Sequence, residues 1–330
     1  MSLNTPLTQR LGITHPILLA PMDLVADARL TAAVSSAGGF GILGGGYGDE
    51  SWLFRELDLL EKPRARFGVG FITWSMAKQP KLLDRALERK PAAVMLSFGD
   101  PGPFADRIKR TGAILICQVQ SVALAREAVA RGADILVVQG TEAGGHGASR
   151  GLIALLPEVL DAIGTGIPVV ASGGIADGRG LAAALMLGAS GVLMGTRFYA
   201  TEEAAGAQAA KERIRAATGD DTLRGIVFDI TRGNVWPSPF TGRCLRNAHA
   251  DRWSGREVEL MQHLEQESTR YATARREGNF DVAAVIAGES AGLVRDIPSA
   301  RAVVERVVRE ASELLLRTTR QAVPAETVTT

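Results

Sequence analysis

Along roughly the first 200 residues, short apolar runs alternate with longer segments in which apolar positions recur at helical spacing. The runs at 16–22, 40–43, 67–72, 92–97, 113–118, 135–139, 167–171 and 191–195 predict strands. Their apolar positions are nearly continuous, the pattern of strands buried on both faces of a parallel sheet. Between them, residues 28–37, 50–60, 81–88, 101–109, 122–131, 152–163 and 180–187 predict helices. Ser121 is placed to cap one of these, and Gly38-Gly39 and Gly132 are placed to end two. The repeat is roughly two dozen residues per unit, and eight units make a (β/α)8 barrel, whose usual size is about 250 residues. An open doubly wound sheet is the alternative, and eight units favour closure.

After Phe198 the pattern changes. Residues 202–217 predict a charged helix, Val235-Trp-Pro-Ser-Pro-Phe240 a loop with aromatic anchors, and 257–276 a long amphipathic helix. A last helix is expected over 299–317, where Val303, Val304, Val307, Val308, Leu314 and Leu315 recur at helical spacing. No strand alternates here. The expected organisation is an α/β barrel core over 1–200, a mainly helical addition near the barrel mouth over 201–300, and, over 301–330, a C-terminal helix packing on the barrel followed by a frayed tail from 321.

With 330 residues, 46% of them apolar, the chain has enough material for a large core. A net charge of +1 from scattered basic residues gives no nucleic-acid footprint. No apolar run is long enough to span a bilayer, and no apolar signal core follows Arg10, so no membrane partner and a cytoplasmic location are expected. Cys117 and Cys244 form no metal or redox spacing and read as buried or incidental thiols of a reducing compartment.

The candidate chemistry gathers after the late strands. Gln139 ends the sixth strand, and a glycine-rich loop with one imidazole follows, Gly140-Thr-Glu-Ala-Gly-Gly-His146-Gly. Bare backbone there allows close approach to a ligand, and a lone imidazole suits proton transfer near neutral pH. Gly173-Gly174 and Gly195-Thr196 follow the seventh and eighth strands, the recurrent phosphate position of barrel enzymes. Met22 closes the first strand, where it either fills core or packs on a planar ring. Gln139 offers amide donors and a carbonyl to a heterocycle edge, Gln118 is a weaker candidate of the same kind, and Trp74 is placed to line the pocket. His15 lies on the opposite, stability face, and His249 and His263 fall in the addition. No histidine pair has metal spacing, and no Ser–His–Asp arrangement is apparent.

On these residues the chain resembles the nitronate monooxygenase family, from Leu11 to about Arg317. The carriers are residues 16–22, 37–41, Gln139-Gly-Thr-Glu-Ala-Gly-Gly-His146, 171–175, Met194-Gly-Thr196 and Ala287-Gly-Glu-Ser-Ala-Gly-Leu293. The resemblance implies a TIM barrel holding FMN without covalent attachment. Met22 and Gln139 would contact the isoalloxazine, Gly144 and Gly145 would line its edge, and Gly173, Gly174, Gly195 and Thr196 would hold the phosphate. His146 matches the family's catalytic histidine, taking the α-proton of a nitroalkane or positioning a nitronate. The implied reaction joins a small-molecule substrate and O2 to give a carbonyl compound and nitrite. One departure stands out. Many members carry a polar residue after the third strand where this chain has Gly70, which removes a contact and leaves room for Trp74 or another substrate. The alternative on the same scaffold is an FMN-dependent NAD(P)H:quinone or enoyl reductase. A non-oxidative phosphate-binding barrel is a third class, and the absence of an interior strand ending in Lys counts against it.

Overall fold

The computed structural model describes residues 3–60 and 66–322. The strands are β1 (Ile17–Leu19), β2 (Gly41–Gly44), β3 (Phe67–Ile72), β4 (Ala93–Ser97), β5 (Ile114–Val119), β6 (Ile135–Gln139), β7 (Gly145–Gly147), β8 (Val169–Ser172), β9 (Gly191–Met194), β10 (Thr222–Gly225) and β11 (Thr241–Leu245). Eight of them form one parallel sheet in the order β1-β9-β8-β6-β5-β4-β3-β2. A parallel bridge between Leu18 and Phe40 joins its two edges, so the sheet closes into the expected (β/α)8 TIM barrel.

Side-chain alternation explains why every barrel strand is buried. Leu18, Ile42, Met95, Ile116, Val137, Val170 and Leu193 fill the interior. Their neighbours Leu19, Leu43, Val94, Leu115, Leu136, Ala171 and Val192 pack outward against the helices. A helix that the apolar pattern does not announce, Pro6–Leu11, plugs the amino end with Leu7 and Leu11. Ser121 caps its helix by accepting from the Leu124 amide at 3.2 Å, and Gly132 follows with φ +85°.

The addition, expected to be mainly helical, also carries two short strands. β10 and β11 pair antiparallel, and β11 pairs in turn with β7, which carries His146. These strands are short, and Arg224 and Arg243 interrupt any apolar alternation, so the pairing exists only in three dimensions. The helix expected over 202–217 runs only over Gln208–Ala216, because a side chain at Gly206 would meet the Tyr199 ring and the Glu202 amide bonds the Pro298 carbonyl instead. The long helix over 257–276 breaks at His263, whose φ of −109° and ψ of 18° are non-helical. The last helix, Ala300–Ala322, buries Val303, Val304, Val307 and Val308 and packs on the helix Gly178–Met186, where Glu310 accepts from the Gly178 amide at 3.0 Å. It takes in the first two residues of the expected tail, and the others, Val323 to Thr330, lie outside the described residues. Among the described residues no helix is long and apolar enough to cross a membrane.

Candidate active site at the carboxyl end of the barrel

All the sequence-chosen residues come together at one end of the barrel. Gly173 and Gly174 follow β8 with φ of +106° and +72°, conformations that L side chains rarely adopt. Gly195 and Thr196 follow β9 and open the short helix Thr196–Tyr199. Among the described residues, the amides of Gly173, Gly174, Gly195 and Thr196 donate to no protein acceptor. A Cβ added to Gly195 would lie 3.6 Å from Met22 Sδ, which places Met22 beside this cradle. Gly144 packs on the backbone of Ala287 and Gly288, and the Gly288 amide donates to Thr196 Oγ1 at 2.9 Å. The segment 287–293 therefore ties the loop after β6 to the helix after β9.

His146 sits on β7 rather than in a free loop. The strand is held from both sides. Gln139, the last residue of β6, donates from Nε2 to the His146 carbonyl at 2.9 Å. Its own carbonyl oxygen accepts from Gln118 at 3.1 Å and Gln120 at 2.9 Å, so most of its polar capacity is used inside the protein. From the addition, Arg224 donates to the carbonyls of Thr141, Ala143, Gly147 and Thr241, and Arg243 donates to that of Thr141. Burial, reinforced by neighbouring Arg243, pulls the Arg224 guanidinium down to about 10.

The imidazole is 9% exposed, and its Nε2 lies 2.9 Å from Oδ2 of buried Asp229. Arg232 donates to the other oxygen of Asp229 at 2.8 Å. A carboxylate only accepts, so this geometry puts the ring hydrogen on Nε2 and leaves Nδ1 as the lone pair. Burial lowers the His146 pKa below 6.5, Asp229 raises it in part, and Arg232 and Arg224 lower it again, so the net shift is downward. The imidazole is thus neutral at pH 7 and ready to take a proton.

Facing the glycines is a second wall, made of rings. Tyr47 comes from the loop after β2, Trp74 from the short helix Thr73–Met76 after β3, Phe98 from just after β4, and Trp236 and Phe240 from the loop before β11. Trp236 stacks on His146 with centroids 3.4 Å apart and planes 7° from parallel. Edge-to-face contacts at 5.1 to 6.1 Å link the five rings, and Trp236 Nε1 donates to the Tyr47 hydroxyl at 2.9 Å. Trp74 packs edge-to-face on Tyr47 and Trp236. The room expected at Gly70 does not exist, because a Cβ there would lie 2.3 Å from Pro21. Pro21 of the β1 end fills that space, and Trp74 stands outside it.

Asp229 and Arg232 escaped the sequence reading. They lie more than 80 residues after His146, around a helix of five residues, Val227–Thr231, with no motif of its own. Cys117 and Cys244 are buried free thiols that burial pushes up to about 12, as structural cysteines.

A closed parallel barrel with a histidine–carboxylate pair beside a bare glycine cradle defines an enzyme whose chemistry sits at the carboxyl ends of the strands. The family model for nitronate monooxygenase matches residues 4–63 and 72–310. The nitronate monooxygenase npaC of Metarhizium robertsii is 38% identical, over 91% of this chain and 91% of that protein. A dehydrogenase of Mycobacterium tuberculosis, named for a 5-hydroxy-7a-methyl-1-oxo-octahydro-1H-indene-4-carboxyl-CoA, is 33% identical over 94% of this chain and 97% of its own. The solved structure of FabK from Thermotoga maritima superposes with a TM-score of 0.86 at 32% identity, covering 98% of this chain and 100% of that one. The chain belongs to the nitronate monooxygenase family, and it is an oxidoreductase.

Proposed function

We propose that the protein is an FMN-dependent nitronate monooxygenase that oxidises alkyl nitronates, or nitroalkanes, with O2 to a carbonyl compound and nitrite. The observation that carries this reading is the imidazole of His146 hydrogen-bonded to the Asp229 side chain, on the strand that follows the loop packed against Gly173. The cradle fits the phosphate of FMN, since four free amides and two glycines of positive φ form a concavity that favours an anion. Gly173, Gly174, Gly195 and Thr196 would hold that phosphate, and Met22 and the strand around Gly144 and Gly145 would border the ring. FMN held there would supply the redox chemistry, carrying electrons from the substrate to O2.

His146 Nδ1 takes the α-proton of a neutral nitroalkane. Asp229 holds the imidazolium that results, and Arg232 keeps Asp229 in place. With a preformed nitronate the proton is already gone, and His146 orients the anion. Arg224 and Arg243 keep the loop that carries the histidine rigid. The likeness to FabK of Thermotoga maritima supports a second reading, an FMN-dependent reductase that draws on NAD(P)H and acts on a quinone or enoyl substrate. Oxygen uptake and nitrite release from ethyl nitronate, with no nicotinamide present, test the first reading. Nitrite formation coupled to O2 uptake is expected, and no nitrite together with rapid NAD(P)H consumption in the presence of a quinone would overturn it.

A further inference from the structure

We infer that the aromatic wall is a substrate surface, and that the preferred nitronate carries a flat apolar ring rather than a short alkyl chain. The inference rests on the nitronate reading above and narrows it. The chain is poor in aromatics, with 4 Trp, 3 Tyr and 10 Phe in 330 residues. Tyr47, Trp74, Phe98, Trp236 and Phe240 nevertheless converge on this one mouth from four separate segments. None of the five is buried, and each stays partly open to solvent. Rings gathered for core packing are covered; rings gathered and left open make a recognition surface.

The surroundings add polarity. A shallow cleft runs beside Phe98 and Phe240 between Gln118, Gln120 and Leu124, next to the ring cluster. Gln120 is 2% exposed, and its Oε1 has no partner; the indole Nε1 of Trp74 is also buried without one. Buried polar atoms left unpaired beside an open apolar cleft are sites that a ligand or its water completes. Trp236 lies flat on the His146 ring, so a planar group sliding along this wall reaches the imidazole without losing stacking contact. A short alkyl nitronate would leave the wall uncovered.

Two measurements on the flavin-loaded protein test this. The first is tryptophan-fluorescence titration with 3-phenylpropionate and with propionate, planar carboxylates that imitate arylalkyl and alkyl nitronates. The second is kcat/KM for the nitronates of 2-phenyl-1-nitroethane and nitroethane. The phenyl compound is expected to win both comparisons by about tenfold or more. Trp74→Ala should cut each ratio at least threefold, and Trp74→Phe should restore most of it, which separates ring contact from a folding defect. Equal binding of the two carboxylates by the wild type would overturn the inference whatever the turnover. Selective binding of 3-phenylpropionate with no turnover of either nitronate would discard the nitronate reading and leave the aromatic wall as the substrate surface.

Discussion

The two walls of the barrel mouth recognise in opposite ways. The wall after β6, β8 and β9 works through backbone: glycines of positive φ, free amides, and a loop pinned by arginines. The wall after β2, β3 and β4 works through ring faces, closed off by the loop that brings Trp236. Backbone donors suit a constant, charged group such as a phosphate. Ring faces suit apolar groups of varied outline. His146 lies between them, backed by Asp229 and covered by Trp236. The proposed division of labour puts the cofactor on the glycine side and the substrate on the aromatic side.

The largest expected effect comes from the residue shared by both walls. His146→Asn should keep its flavin, since neither the cradle nor Met22 is touched. It should lose about a thousandfold in kcat/KM on neutral nitroalkanes and less than tenfold on preformed nitronates, measured side by side. Equal losses on the two would reduce His146 to a positioning role. Next in size, Asp229→Asn should lower kcat/KM on neutral nitroalkanes by about a hundredfold. Asp229 raises the pKa of His146, so its removal should also move the acidic limb of the rate profile to lower pH, a shift that a purely structural defect would not produce. Gly173→Val acts on the other wall. Its φ of +106° strains any side chain, and the added atoms crowd Ala143 and Gly140, so FMN affinity should fall by about tenfold or more. Flavin retained at full occupancy in that variant would break the assignment of the cradle.

The smallest effect is on stability. The folded-state pKa of His146 lies below 6.5, so the unfolded chain binds protons that the folded chain resists. Stability contributed by the neutral imidazole is therefore present above pH 6.5 and is lost as pH falls through the window beneath it. His15 and His249 shift in the same direction. Urea midpoints above and below pH 6.5 should drop on the acid side in the wild type, and less steeply in His146→Asn.

The same contrast governs what could be read from the chain. The barrel was legible because each strand is an apolar run, each helix is periodic, and Gly132 and Ser121 mark ends locally. The glycine wall was legible for the same reason, since Gly173-Gly174 and Gly195-Thr196 directly follow their strands. The aromatic wall needed the fold, because residues 47 and 236 meet only after the barrel closes, although the loop 235–240 stood out as an aromatic anchor. β7 was invisible because Gly-His-Gly has no strand pattern, and its partner β11 is nearly 100 residues away. Asp229 was hidden by the same distance. Gly70 misled because its meaning lies across the barrel mouth, in Pro21.

The most direct test of the account is the visible spectrum of the purified, flavin-loaded protein mixed without oxygen with a preformed nitronate and, separately, with NADH or NADPH. The account predicts that the nitronate alone bleaches the flavin band and that the nicotinamides leave it unchanged over the same time. Rapid bleaching by a nicotinamide with none by the nitronate would contradict it and move the protein to the reductases.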